Sequence, residues 1–108
     1  MKSIKIRTEN DGKEYTLAFT RMVVRNMMRA GFKLEDCMNI PLDGIPRLFN
    51  GAFRAFHPGT EMEVTDKIWE DIPNKEALLK ALMQMFHEPV DSLFDEPTEK
   101  NATWEVVE

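Results

Sequence analysis

Apolar and polar side chains alternate at the start of the chain. Ile4, Ile6 and Thr8 are separated by Lys5 and Arg7, and Tyr15, Leu17 and Phe19 by Thr16 and Ala18. A period of two puts alternate side chains on opposite faces of a strand. Between the two runs stands Asn10-Asp11-Gly12-Lys13. Asp-Gly between alternating segments signals a hairpin, because glycine tolerates the positive φ of a tight turn. The pattern predicts an antiparallel hairpin of residues 2–9 and 14–19. A hairpin alone is marginal in water, so its Tyr15/Leu17/Phe19 face needs a packing partner.

Beyond Phe19 the spacing turns helical. Thr20 is placed to cap a helix over Arg21–Ala30, with Gly31 just past its end and Phe32 as the hydrophobic partner of that cap. Val23, Val24, Met27, Met28 and Ala30 form the apolar side. Arg21, Arg25 and Arg29, at i, i+4 and i+8, form a basic ridge. Leu34–Ile40 reads as one or two turns bounded by Pro41. Asp43 is the expected N-cap of a third helix with Pro46 in its first turn. Ile45, Leu48, Phe49, Ala52, Phe53 and Phe56 follow as an apolar stripe that Pro58-Gly59 ends. Thr60-x-x-Glu63 matches a capping box, with Thr65 a competing N-cap, ahead of a short helix carrying Ile68 and Trp69. Asn74 then caps a long helix with Leu78, Leu79, Leu82, Met83, Met85 and Phe86 inward. Pro89 interrupts it, and Val90, Leu93 and Phe94 form one further turn. The fold class this implies is α+β, mainly α: an N-terminal antiparallel β-hairpin packed on four to five helices.

A chain of 108 residues, 43% hydrophobic and 31% charged, can bury about two thirds of its unfolded surface around one core. Without repeats or an internal linker, the expectation is a single globular domain over 1–94. The acidic, core-poor DEPTEKNATWEVVE at 95–108 reads as a flexible tail. No apolar run is long enough for a bilayer, and the opening residues lack the apolar stretch of a signal peptide. One cysteine, Cys37, gives no disulfide framework. These features point to a protein of a reducing cytoplasm.

Charge alters this picture in one respect. The net charge is −5, and nucleic acid is therefore not the expected partner. Yet residues 1–50 hold nine Lys/Arg against six Asp/Glu, whereas 51–108 hold five against thirteen. The Arg21/Arg25/Arg29 ridge, extended by Lys33, is open to three readings: it faces solvent, phosphates or an acidic segment of a partner. No aromatic residue interleaves it, so a base-stacking platform is not indicated.

Catalytic chemistry finds no foothold. His57 and His87 sit near predicted helix ends with no zinc-ligand spacing. Cys37 stands beside Glu35 and Asp36, whose charges oppose thiolate formation. The pairs Glu35/Asp36, Glu70/Asp71 and Asp95/Glu96 are adjacent in sequence and diverge on a helix. Neither a phosphate loop nor a nucleophile elbow is present. The expectation is a protein that is not an enzyme, with no catalytic residue, cofactor or metal. What remains is binding. Eight methionines suit either irregular cores or adaptable partner surfaces. Trp104, alone in a polar acidic stretch, either docks back on the domain or anchors a partner. The candidate partner-binding residues are Arg21, Arg25, Arg29, Met27, Met28 and Trp104. Exposed Met and Phe would equally serve self-association.

Four segments carry a family likeness: SIKIRTENDGKEYTLAFTR, PLDGIPRLFNGAFRAFHPG, IWEDIPNKEALLKALMQMF and EPVDSLFDEPTEKNATWEVV. Together they resemble a family of small phage- and prophage-encoded proteins, often described only as a domain of unknown function, whose members look like tail assembly chaperones of long-tailed phages. The resemblance implies a non-enzymatic protein of the bacterial host cytoplasm. It would coat the tape-measure protein, recruit the major tail (tube) protein and be absent from the finished virion. It supplies no catalytic residues to map. The alternatives are a permanent tail or connector component of the virion and a small nucleic-acid-binding regulator that uses the arginine ridge. The resemblance leads to the expectation that the helical body holds the tape measure while Asp95–Glu108 recruits tube subunits.

Overall fold

In a computed structural model, residues 2–9, 11–99 and 101–108 are described; Met1, Lys100 and Asn10, the first residue of the expected turn, lie outside them. Strands β1 (Ile4–Arg7) and β2 (Glu14–Leu17) pair antiparallel, Ile4 opposite Leu17 and Ile6 opposite Tyr15. Five α-helices follow among the described residues: α1 (Arg21–Arg29), α2 (Asp36–Asn39), α3 (Pro41–Phe53), α4 (Met62–Asp71) and α5 (Lys75–Asp91), the last continuing into a 3-10 turn, Ser92–Phe94. The fold is α+β, mainly α, with the hairpin at the N-terminal end.

The hairpin packs where its alternation requires. Tyr15 meets Phe53 edge to face at 5.3 Å, Phe19 meets Phe86 at 5.4 Å, and Leu17 is fully buried. The Ala18 amide donates to the Ala52 carbonyl (3.0 Å), and the Thr16 amide donates to His57 Nε2 (2.9 Å). These bonds tie β2 to the end of α3 as well as to β1. His57 is thus a fixed strut between the hairpin and α3.

Helix α1 ends as its sequence requires. The Thr20 hydroxyl accepts from the Val23 amide at 3.2 Å. At the other end Gly31, at φ +90°, lets its amide reach the Met28 carbonyl while the Phe32 amide reaches that of Met27. This paired pattern satisfies two orphan carbonyls and turns Phe32 into the core.

Other local expectations are corrected. Asp43 does not cap α3. Pro41 already occupies the first helical position, where its missing N–H costs nothing, and the Ile40 carbonyl accepts from Asp43 and Gly44. Asp43 lies in the first turn and pairs with Arg47 at 3.5 Å, and Pro46 falls inside the helix. The stripe also ends earlier than its spacing suggests: α3 stops at Phe53, and Phe56 is 51% exposed. Neither Thr60 nor Thr65 caps α4. Its N-cap is Glu61, without a side-chain bond. Thr65 is fully buried inside the helix, where its hydroxyl accepts from Asn50 Nδ2 (3.2 Å) and lies 3.2 Å from the Met62 carbonyl. The Thr60 hydroxyl donates to the His57 carbonyl instead. Asn74 stands at the N-cap of α5 in the left-handed region (φ 53°), where its carbonyl accepts from Leu78 but its side chain makes no cap bond. Pro89 does not interrupt α5, which runs on to Asp91.

The core gathers Leu17, Leu48, Phe49, Phe53, Leu82 and Phe86, each fully or almost fully buried. Phe86 touches both Phe19 and Phe32, at 5.4 and 5.2 Å. That double contact holds α5 against both ends of α1.

Candidate partner-binding groove

Arg21, Arg25 and Arg29 do form a ridge, and all three are exposed. The ridge is one wall of a groove. Opposite it run Pro89 and Val90 at the end of α5 and Leu93 on the 3-10 turn, with Val24 and Met28 between. The groove encloses about 350 Å³, with apolar side chains below and guanidinium groups along one rim.

Its parts come from distant segments. Residues four apart on a helix share a face, so α1 alone explains the rim. The far wall depends on Phe86, whose seating against Phe19 and Phe32 carries the rest of α5 alongside α1. A polar link closes one end: Arg21 Nη2 donates to Ser92 Oγ at 2.9 Å. Ser92 in turn donates to the Pro89 carbonyl. Arg25 and Arg29 make no ion pair among the described residues. Their charges stay available beside the apolar floor.

The sequence candidates divide. Met28 is 48% exposed and lines the groove, but Met27 is 2% exposed and packs on Gly51. Met27 therefore leaves the candidate set: its side chain is part of the core, because α1 turns that face toward α3. Trp104 is 86% exposed and does not dock on the body of its own chain. Pro89, Val90 and Leu93 were not legible as a site. Their spacing reads equally well as a last turn of core helix, and the pattern does not say which face the core leaves uncovered.

A larger cleft, about 760 Å³, lies between the hairpin and α4. Its walls mix Arg7 and Lys67 with Glu9, Asp11 and Asp71, so no single sign of charge selects a ligand there. Cys37 is buried. Desolvation, and after it the charge of Asp36, pushes its thiol above the usual range, which suits a packing residue and not a nucleophile. Among the described residues no group of three or more His, Cys, Asp or Glu is arranged to hold a metal ion, and no helix is long and apolar enough to cross a membrane.

Residues 1–107 match a family described as a domain of unknown function, DUF5055. The chain belongs to that family. Neither a curated protein nor a solved structure matches it.

Proposed function

We propose that this protein is a non-enzymatic interaction protein whose docking site is the groove between α1 and the end of α5. The observation that carries the reading is the pairing of an apolar lining (Val24, Met28, Val90, Leu93) with the cationic rim Arg21, Arg25 and Arg29. Such a site suits an apolar segment bordered by carboxylates. The apolar contact supplies affinity and the charges supply orientation and partner choice.

The resemblance of the four quoted segments extends this reading to a tail assembly chaperone of long-tailed phages, acting in the host cytoplasm. Its partners would be the tape-measure protein and the major tail protein. A long helical client needs adaptable apolar contacts together with charge that keeps the complex soluble. The half-exposed Met28 and the acidic 95–108 segment have those properties.

The test is affinity capture with the tagged full-length chain from its native host during phage induction, with mass spectrometry of what co-purifies. The expected result is a long helical tape-measure protein captured by the wild type and lost with Arg25→Glu, the protein itself being absent from finished particles. Its presence in purified particles would make it a structural component. Salt-sensitive recovery of nucleic acid alone would transfer the ridge to phosphate binding.

A further inference from the structure

Segment 95–108 holds five carboxylates and one lysine. Its large apolar side chains, Trp104, Val106 and Val107, are all exposed, and none is covered by the body of the chain. Glu105 stands between Trp104 and Val106, and Glu108 follows Val107. This is an apolar centre bordered by acid, the chemistry that the Arg21/Arg25/Arg29 groove lacks and would complement.

We propose that segment 95–108 of one copy lies in the groove of a second copy, and reciprocally, so that the protein forms a dimer by exchanging these arms. The proposal rests on the groove being a docking site and names its occupant. Trp104 seats against Val24, Met28 and Leu93, as aromatic anchors do in desolvated pockets. Glu105 and Glu108 face Arg25 and Arg29, which have no ion pair within the described residues of their own chain.

The geometry favours a second copy over the same chain. Leu93 is a lip of the groove, and the segment leaves immediately after it through Asp95 in an extended conformation (φ −68°, ψ 135°). To enter its own groove it would have to reverse within a few residues, before the bend at Thr98 and Glu99. Pro97 opposes that by restricting Glu96 to extended backbone. The molecule instead measures 61 × 30 × 25 Å with a radius of gyration of 16.5 Å, against about 13 Å for a compact chain of this length. The seven steps from Pro97 to Trp104 allow a reach of up to about 23 Å, enough to cross to a neighbour. Reciprocal exchange about a two-fold axis closes the assembly, where a head-to-tail arrangement would continue into a ring or filament.

Sedimentation velocity of the full chain over a concentration series tests this, with Trp104 emission read in a Trp69→Phe background. A reversible dimer is expected, weakened by salt, with Trp104 emission shifting to the blue as dimer forms. Trp104→Ala and Arg25→Glu should each weaken dimerisation by about tenfold or more, and the double variant Arg25→Glu/Glu105→Arg should recover part of the loss. Circular dichroism would show that these surface variants stay folded, and if Trp69→Phe does not fold, the Trp104→Ala chain supplies the reference spectrum. A monomer at every concentration overturns the proposal, as does a dimer indifferent to Trp104→Ala. A concentration-independent blue shift would place the arm on its own chain and overturn it too. If Arg25→Glu abolishes partner capture but leaves the dimer intact, the arm is wrong and the groove stands; loss of dimer with capture unchanged points the other way.

Discussion

Arg21 and Ser92, 71 positions apart, are joined side chain to side chain: Arg21 Nη2 lies 2.9 Å from Ser92 Oγ and 3.4 Å from the Ser92 carbonyl. The bond ties the first turn of α1 to the 3-10 turn and sets the width of the groove at that end. Arg21 is exposed and Ser92 only half-buried, so the worth of the bond to stability is small. Arg21→Ala should cost under about 1 kcal/mol in urea unfolding. Its effect on binding should be larger, because it removes a rim charge. Ser92→Ala frees Arg21 while keeping the charge, so it should retain most partner capture. Equal losses in the two variants would mean that the tie, and not the charge, matters.

Gly44 predicts a steep packing penalty. A Cβ there would stand 2.4 Å from the backbone carbonyl carbon and oxygen of Asp36, so α2 and α3 touch main chain to main chain. Alanine normally gains about 1 kcal/mol over glycine inside a helix. Here overpacking reverses the sign, and Gly44→Ala should lose about 2–3 kcal/mol by chemical denaturation. Gly51→Ala meets the Met27 side chain instead. Met27 has some freedom to rearrange, so the loss should be smaller. A stabilised Gly44→Ala would show that the α2–α3 contact is looser than described.

The Asn50–Thr65 bond crosses the core from α3 to α4. Asn50 Nδ2 donates to both Thr65 Oγ1 and the Thr60 carbonyl, at 3.2 and 3.0 Å. Thr65→Val keeps the volume and removes the acceptor, leaving a buried amide short of one partner. The expected loss is about 1–2 kcal/mol, measured as a shift in urea midpoint with unchanged slope. No loss, or a gain, would mean that the added methyl packs well enough to offset the missing bond.

Asp11 makes the hairpin turn sensitive to acid. The Thr8 hydroxyl and then the Lys13 amide (2.9 Å) donate to its ionised carboxylate and hold its pKa below the ordinary 3.8. A depressed carboxylate contributes stability above its unfolded pKa and loses it as pH falls through the lower folded value. The stability difference between wild type and Asp11→Asn should therefore be constant at neutral pH and shrink once the pH drops below 3.8. Thermal unfolding followed by circular dichroism from neutral pH into this acid range measures it. A difference that stays constant throughout would mean that the turn does not depend on the ionised form.

Much of the fold was legible because its signals are local. The hairpin, the Thr20 cap and the Gly31 C-cap rest on residues close in the chain, and each appeared where the pattern placed it. One helix start that failed was also a local guess, but a tertiary contact overrode it. Thr65 has the right chemistry for a cap, yet Asn50, 15 residues earlier, holds its hydroxyl in the core. At the site, the arginine ridge was legible from i, i+4 spacing and Met28 from its place beside it. Met27 and Met28 part company because two adjacent methionines on one helix point to different faces, and only the position of α3 decides which is buried.

By itself the sequence determined the alternating strands, the helical stripes, the basic ridge and the acidic segment with its single tryptophan. All of these follow from backbone periodicity and side-chain chemistry within a short stretch of chain. Only the tertiary structure decided that the ridge borders a groove. That depends on Phe86 packing against Phe19 and Phe32, which brings Pro89, Val90 and Leu93 beside α1, and packing between segments so far apart in the chain leaves no periodic trace in the order of residues.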